Sequence, residues 1–529
     1  MKKLGIALTP VLAAIALFAS DSLQAEEAKP LKLPAIFGDH MVLQRDGVAP
    51  VWGTAHPGDS ITVTAGTLKD TATTDANGKW MVRLKNLPVS DTPIEVKIQG
   101  PKDTIVFKDV LVGDVWLASG QSNMDFKFSA DSLAKKEQPL ATNSLIRLFY
   151  CGFKCLSRPT DEVAVDLKKG VGGWRVCSPS SINPISAVGY YFARDIAAFT
   201  KHPVALIHSA VGGSSAESWT SLEALSAVPE LSTYADKSRQ FRDASKQARG
   251  INWKDESANF NGGINPYIPF GIKGVIWYQG ESNATRPDEY RILLPTMIKD
   301  WRTRWGQGDF HFIIVQLPKP TGSPEMAQAQ TYVASMPHNG LVVTYDIGAR
   351  YSIAGKTNAP VYIKVQELHP TYKSGVGARL ALAARKVAYG DDKVVYSGPM
   401  CKGITFEGSK VRVHFDSIGR GLQIGSPPAD WYPNEKRVST DKLLGFYVAG
   451  KDGKFSPATA AIDGNTVVAW SPEAPHPTLV RYGWYDLEKG FNNLYNKEGL
   501  PAVPFRSDEL FPVTTTDASL TRKTKDITP

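Results

Sequence analysis

Cysteine is scarce, with four in 529 residues, and no two of them stand as CxxC. With no HxxxH pair to help, Cys151, Cys155, Cys177 and Cys401 make a poor zinc set. In an oxidising compartment they permit two disulfides in three connectivities. The nearness of the first three predicts a bridge among them, with buried free thiols as the alternative. A basic block is missing too: 60 basic against 52 acidic residues leave +8, spread along the chain. A nucleic-acid binder gathers such charge into a stripe, so that class is excluded. No GxGxxG follows a strand, which leaves a dinucleotide site unsupported. Long apolar runs are also lacking. The longest, Leu4 to Ala19, is interrupted and short of the roughly 20 residues a membrane span needs.

What is present begins with that run. Lys2 and Lys3 precede it and Leu23-Gln24-Ala25 follows, the order of a signal peptide with cleavage near Ala25. An exported protein, periplasmic or extracellular, is expected. Hydrophobic residues at 42% and charged residues at 21% are globular proportions, and the length calls for several domains.

Residues 26–108 read as β structure. Ile61-Thr62-Val63-Thr64 and Ile94-Glu95-Val96-Lys97-Ile98 alternate, and Asp75-Ala76-Asn77-Gly78 is a hairpin signal. Residues 109–395 change character. Continuous apolar runs (Val112 to Ala118, Val204 to His208, Val275 to Tyr278, Phe312 to Leu317, Leu341 to Tyr345) alternate with helix-period stretches (Ala187 to Phe199, Glu289 to Trp305, Gly377 to Tyr389). That pattern predicts an α/β domain with a parallel sheet covered on both faces, carrying a polar, helical insertion at about 220–262. Alternation returns in 396–515, ahead of a tail at 516–529. β-sandwich-like domains are expected on either side of the α/β domain.

Four segments could carry chemistry. Val112 to Ala118 runs into Ser119-Gly120-Gln121-Ser122-Asn123-Met124, where Gly120 permits a sharp turn and Ser122 would start a helix. Free N–H groups there favour developing negative charge, although Ser is equally a plain helix cap. Val211-Gly212-Gly213-Ser214 follows a second strand and could expose a backbone N–H. Trp277-Tyr278-Gln279-Gly280-Glu281-Ser282-Asn283 ends a third, bringing two amides and a carboxylate. Glu367-Leu368-His369-Pro370 precedes the last helix. Gly58-Asp59-Ser60 is a decoy, since it follows Pro57 and opens a β-strand.

With these blocks in this order, the chain resembles the SGNH-type hydrolases, and within them the sialate O-acetylesterase family. The likeness extends to Phe37 to Arg45, Asp300-Trp301-Arg302, Val315 to Pro318, Asn493 to Asn496 and Gly499-Leu500-Pro501. It implies a flavodoxin-like hydrolase domain in which Ser122 is the nucleophile and His369 the base. The oxyanion donors would be the N–H groups of Ser122 and Gly213 with the Gln279 amide, Gly212 and Asn283 being the alternatives. No cofactor or metal is implied. The family pattern places an Asp shortly before the His, where this chain has Gln366 and Glu367. Glu367 is the expected acid and Asp346 the reserve. Asn123, Glu281 and Trp219 are expected to contact substrate, with Trp116, Trp219 and Trp277 as a sugar platform. The function implied is a secreted serine esterase removing O-acetyl groups from sialic acid or polysaccharide. A non-catalytic carbohydrate-binding protein and a glycosidase using Glu281 are the competing readings.

Overall fold

The computed structural model describes residues 30–152, 155–166, 171–243, 251–317, 323–347, 368–425, 441–484 and 492–509, and the backbone of 349–354 and 361–366. The expected export segment, the tail at 516–529 and Glu367 lie outside the described residues.

The architecture is mixed α/β around one mostly parallel sheet. Its strands are β1 (Thr104–Gly120), β2 (Asn143–Tyr150), β3 (Trp174–Cys177), β4 (Val204–Ala210), β5 (Gly274–Tyr278), β6 (His311–Val315) and β7 (Asn339–Val342). They lie in the order β7-β6-β5-β1-β4-β2-β3, all neighbours parallel except the β2–β3 pair. β4 and β5 thus flank β1 on opposite sides. In an open α/β sheet such a switch point leaves a crevice beyond the carboxyl ends of the strands. Ser122, Gly212 and Gln279 follow the ends of β1, β4 and β5 respectively.

The apolar runs explain this sheet. From Val110 to Gly120, β1 is buried at every position, as in a strand covered on both faces. Its first six residues alternate and pair antiparallel with Ser90–Gln99, so one strand runs through the expected boundary at residue 108. The helices α1 (Ser122–Asp125), α2 (Ala187–Thr200), α3 (Pro287–Trp305), α4 (Pro324–Ala334) and α5 (Lys373–Tyr389) complete the layers, α2 packing on α5 and α3 on α4. Ser186 caps α2 by accepting the Gly189 N–H at 3.0 Å.

The N-terminal strands share the main apolar core, and Arg45 binds buried Asp114 of β1 through two N–H bonds of 3.0 and 3.2 Å. The C-terminal strands form two four-stranded antiparallel sheets and a two-stranded one, with a separate core around Val413, Val448 and Tyr482. Gly58 sits at φ +85° in a turn and Ser60 opens the strand Ser60–Ala65, as expected of the decoy. The expected disulfide is absent: all four cysteines are free, Cys151 and Cys177 buried. Burial pushes both thiols up to about 12. No helix among the described residues is long and apolar enough to cross a membrane.

Candidate active site

Ser122 owes its position to Gly120. That glycine lies at φ +137°, and a Cβ there would stand 2.2 Å from the Tyr278 carbonyl oxygen. Without a side chain, β1 can end against both neighbours. Val211 N–H donates to Gly120 O, and Gln121 N–H donates to Tyr278 O, each at 3.0 Å. The chain then turns into α1, where Gln121 rather than Ser122 occupies the cap position. Ser122 is therefore not a helix cap. Its Oγ is 2.8 Å from His369 Nε2, across 247 residues of sequence.

Because α1 has four residues, its dipole adds little, and backbone donors must do the electrostatic work. Among the described residues, no acceptor takes the N–H of Ser122, Gly212 or Gly213. A Cβ placed on Gly212 would lie 3.6 Å from Ser122 Cβ, whereas one on Gly213 would meet Trp253 instead. Gly212 thus lies against Ser122 and Gly213 against Trp253.

His369 reaches this point from beyond β7 by way of a hairpin, Ala349–Ala354 paired antiparallel with Val361–Gln366. Two buried groups then hold the segment. Asn123 Nδ2 donates to Leu368 O at 3.0 Å, and Asp131 Oδ2 accepts the Lys373 N–H at 2.8 Å. Partial burial, and then the Lys373 charge, lower the His369 pKa and favour the neutral ring that a base requires.

Asn123 and Glu281, both expected to contact substrate, are hydrogen-bonded to each other. Asn123 is fully buried; its second amide hydrogen goes to Glu281 Oε1 at 2.6 Å, and its Oδ1 accepts from Lys373 Nζ. Burial raises the Glu281 pKa, with the Asn123 bond opposing the shift. The three form one hydrogen-bonded network, joined to Ser122 in sequence through Asn123 and to the His369 segment through Leu368 O.

Family comparison identifies the assembly. Residues 112–351 match a family described as carbohydrate esterase, sialic acid-specific acetylesterase. The mouse sialate O-acetylesterase is 31% identical over 418 residues, covering 69% of this chain and 75% of the relative. The human one is 31% identical over 405 residues, covering 70% and 73%. The chain belongs to the sialate O-acetylesterase family. A carbohydrate acetylesterase from Xanthomonas citri has a similar crystal structure, with a TM-score of 0.74 and 33% identity over 90% of this chain and all of that one. The chain is accordingly a carboxylic ester hydrolase, which removes the binding-protein and glycosidase readings.

In this esterase setting several expectations need correction. Trp116, Trp219 and Trp277 are completely buried and form no platform. Trp219 donates its indole N–H to Ser214 Oγ at 2.8 Å and stands edge-on to Trp277. Asn283 is buried, its Oδ1 accepting the Ala216 N–H and its Nδ2 donating to Glu217, so it is tied to structure rather than aimed at an oxyanion. Gln279 Nε2 lies within reach of Gln121 Oε1, Ser214 O and Asn283 Oδ1, at 3.2, 3.2 and 2.8 Å. Its Oε1 accepts from Tyr290. It joins the three turns of the site, and a substrate oxygen would have to take the place of one acceptor. Asp346 is committed elsewhere: Arg379 grips both of its oxygens and Tyr495 donates to one of them.

Sequence reading missed Lys373 and Trp253. A lysine in the first turn of a helix carries no sign that it will be buried, and Trp253 sits in a polar stretch. Among the described residues no group of His, Cys, Asp and Glu is placed to hold a metal ion.

Proposed function

We propose that this chain is an exported serine esterase that removes O-acetyl groups from carbohydrate through an acetyl-serine intermediate. The 2.8 Å contact between Ser122 Oγ and His369 Nε2 carries this reading. Ser122 Oγ attacks the acetyl carbonyl carbon and its proton passes to His369 Nε2. The resulting oxyanion is met by the N–H groups of Ser122 and Gly212, with Gly213 as the alternative glycine and Gln279 as a third donor once it gives up an acceptor. Loss of one such donor typically costs about 3–4 kcal/mol. The carbon–oxygen bond to the sugar then breaks, and His369 returns its proton to the leaving sugar oxygen. Water attacks the acetyl-serine while His369 takes its proton; the bond to Ser122 Oγ then breaks, His369 returns that proton to Oγ, and acetate departs.

Glu367 is the acid assigned to His369, two residues before it in sequence, since Asp346 is spent on Arg379. The Lys2 to Ala25 segment supports export, and the flanking antiparallel sheets are read as β-sandwich-like modules. The substrate class follows the relatives' names, acetylated sialic acid or another acetylated carbohydrate.

The test is acetate release from a small aryl acetate by the purified chain and by Ser122→Ala, with circular dichroism to check the fold. Activity confined to the wild type is expected, and equal turnover by the two would remove Ser122 from the mechanism. Acetylated sialic acid, acetylated xylan and pectin then rank the substrates.

A further inference from the structure

The buried tryptophans leave the site without the aromatic surface that sequence reading assigned to them, and another residue supplies one. Trp253 is 44% exposed, the one tryptophan among the described residues that is largely open to solvent. Aromatic side chains commonly line the sites that bind small ligands. This one adjoins the nucleophile by way of the two glycines. A Cβ on Gly212 would lie 3.6 Å from Ser122 Cβ, and one on Gly213 would lie 3.2 Å from Trp253 Nε1. Consecutive Cα atoms are about 3.8 Å apart, so nucleophile and indole are separated by little more than one bare dipeptide. Any side chain on Gly213 would crowd the indole, and its φ of +74° also favours glycine.

The backbone that carries the indole is set in place. Fully buried Asn259 donates one bond to Trp253 O at 3.0 Å and another to Ser218 Oγ at 2.7 Å. Ser257 N–H donates to Glu217 O at 3.1 Å, tying the same segment to the turn after β4. Among the described residues the ring itself has no hydrogen-bond partner and no ring contact, and more than two-fifths of the residue is exposed to solvent. Leu368, next to His369 in sequence, is 53% exposed.

We propose that Trp253 is a specificity-determining platform that stacks on the C–H face of the pyranose ring bearing the scissile acetyl group. This rests on the esterase reading above and deepens it. In a ring-borne acetate only the ester oxygen separates the reacting carbonyl carbon from the ring. With the acetyl group held over Gly212, the ring falls beside Gly213, where the indole lies. An acetate on a flexible acyclic polyol presents no such flat apolar face. The structure therefore favours acetyl esters on pyranose hydroxyls over acetyl esters on open chains.

The experiment compares kcat/KM on an O-acetylated xylopyranoside with that on glycerol triacetate, for wild type, Trp253→Ala and Trp253→Phe. The ratio of the two constants cancels any loss of folded enzyme. Trp253→Ala should lower the ratio about ten-fold, through KM on the pyranoside, as expected for one lost aromatic contact. Trp253→Phe, which keeps a smaller aromatic face, should fall in between. An unchanged ratio, whether both constants stay or fall together, overturns the proposal, the latter making Trp253 a support for the Gly213 turn. A wild type inactive on both esters would instead overturn the esterase reading itself.

Discussion

Asp346 and Arg379 meet face to face, each carboxylate oxygen accepting one guanidinium N–H at 2.7 Å. Arg379 is buried, and it also donates to Val343 O at 2.8 Å. Breaking a buried pair from one side typically costs about 3–5 kcal/mol, because an uncompensated charge remains. Asp346→Asn should therefore lower the unfolding midpoint clearly while the folded fraction keeps its kcat. Glu367→Gln should do the reverse, lowering kcat by up to about 10⁴-fold with little change in midpoint. Thermal unfolding and active-site-normalised turnover of both variants check this, and a selective kcat loss in Asp346→Asn would return the acid role to Asp346.

The pH dependence follows from His369. Partial burial and the nearby Lys373 charge disfavour the imidazolium, lowering its pKa. The neutral ring is the form that accepts a proton from Ser122, so activity rises as pH climbs through that pKa. The acid limb of kcat/KM should accordingly lie below the ordinary histidine value of about 6.5. Lys373→Met removes a positive charge and should move the limb upward. A wild-type limb above the ordinary value would contradict the assignment.

Asn123 is a positioning residue, since it touches the His369 segment and not the reacting atoms. Asn123→Ala removes the bond to Leu368 O and leaves Glu281 Oε1 and Lys373 Nζ without their shared amide. A small displacement of the base costs about 10²-fold in rate. The loss should appear in kcat with KM little changed, and the acid limb should shift as Lys373 is released. Kinetics across pH would show a uniform KM effect instead if Asn123 bound substrate.

The cysteines make a chemical prediction. Burial holds the Cys151 and Cys177 thiols up at about 12 and Cys155 at about 11, so few thiolates form near neutrality. These three should react slowly with a thiol reagent in the native protein, and four thiols should be counted after denaturation. Reductant should leave the unfolding midpoint unchanged. A count of two or fewer in the freshly isolated protein would show that a bridge forms.

Much of the hydrolase domain was legible in sequence because its strands are unbroken apolar runs. Asn143–Tyr150 escaped notice because Arg147 interrupts it; the structure buries that arginine and pairs it with Asp109. Ser122 and His369 could be singled out from their settings, and the structure brings the two together at 2.8 Å. The roles of Asn123, Glu281 and the tryptophans were not legible, because the same polar or aromatic residue serves substrate or core according to which way it faces. Sequence gives the residue type, while burial and hydrogen-bond direction decide its use. Gln279 illustrates this: its amide suits an oxyanion, yet its nearest partners are the neighbouring turns.

The long strand Thr104–Gly120 has a consequence for how such a chain can be cut and recombined. Its 17 residues extend roughly 55 Å, starting in the N-terminal sheet and ending at the turn that presents Ser122. Removing the N-terminal module at any point within it would leave a torn edge beside the central sheet. The C-terminal sheets, by contrast, have a core of their own. The leading module and the turn that presents Ser122 share one continuous strand and would have to be moved together, whereas the C-terminal sheets offer the simpler point of division.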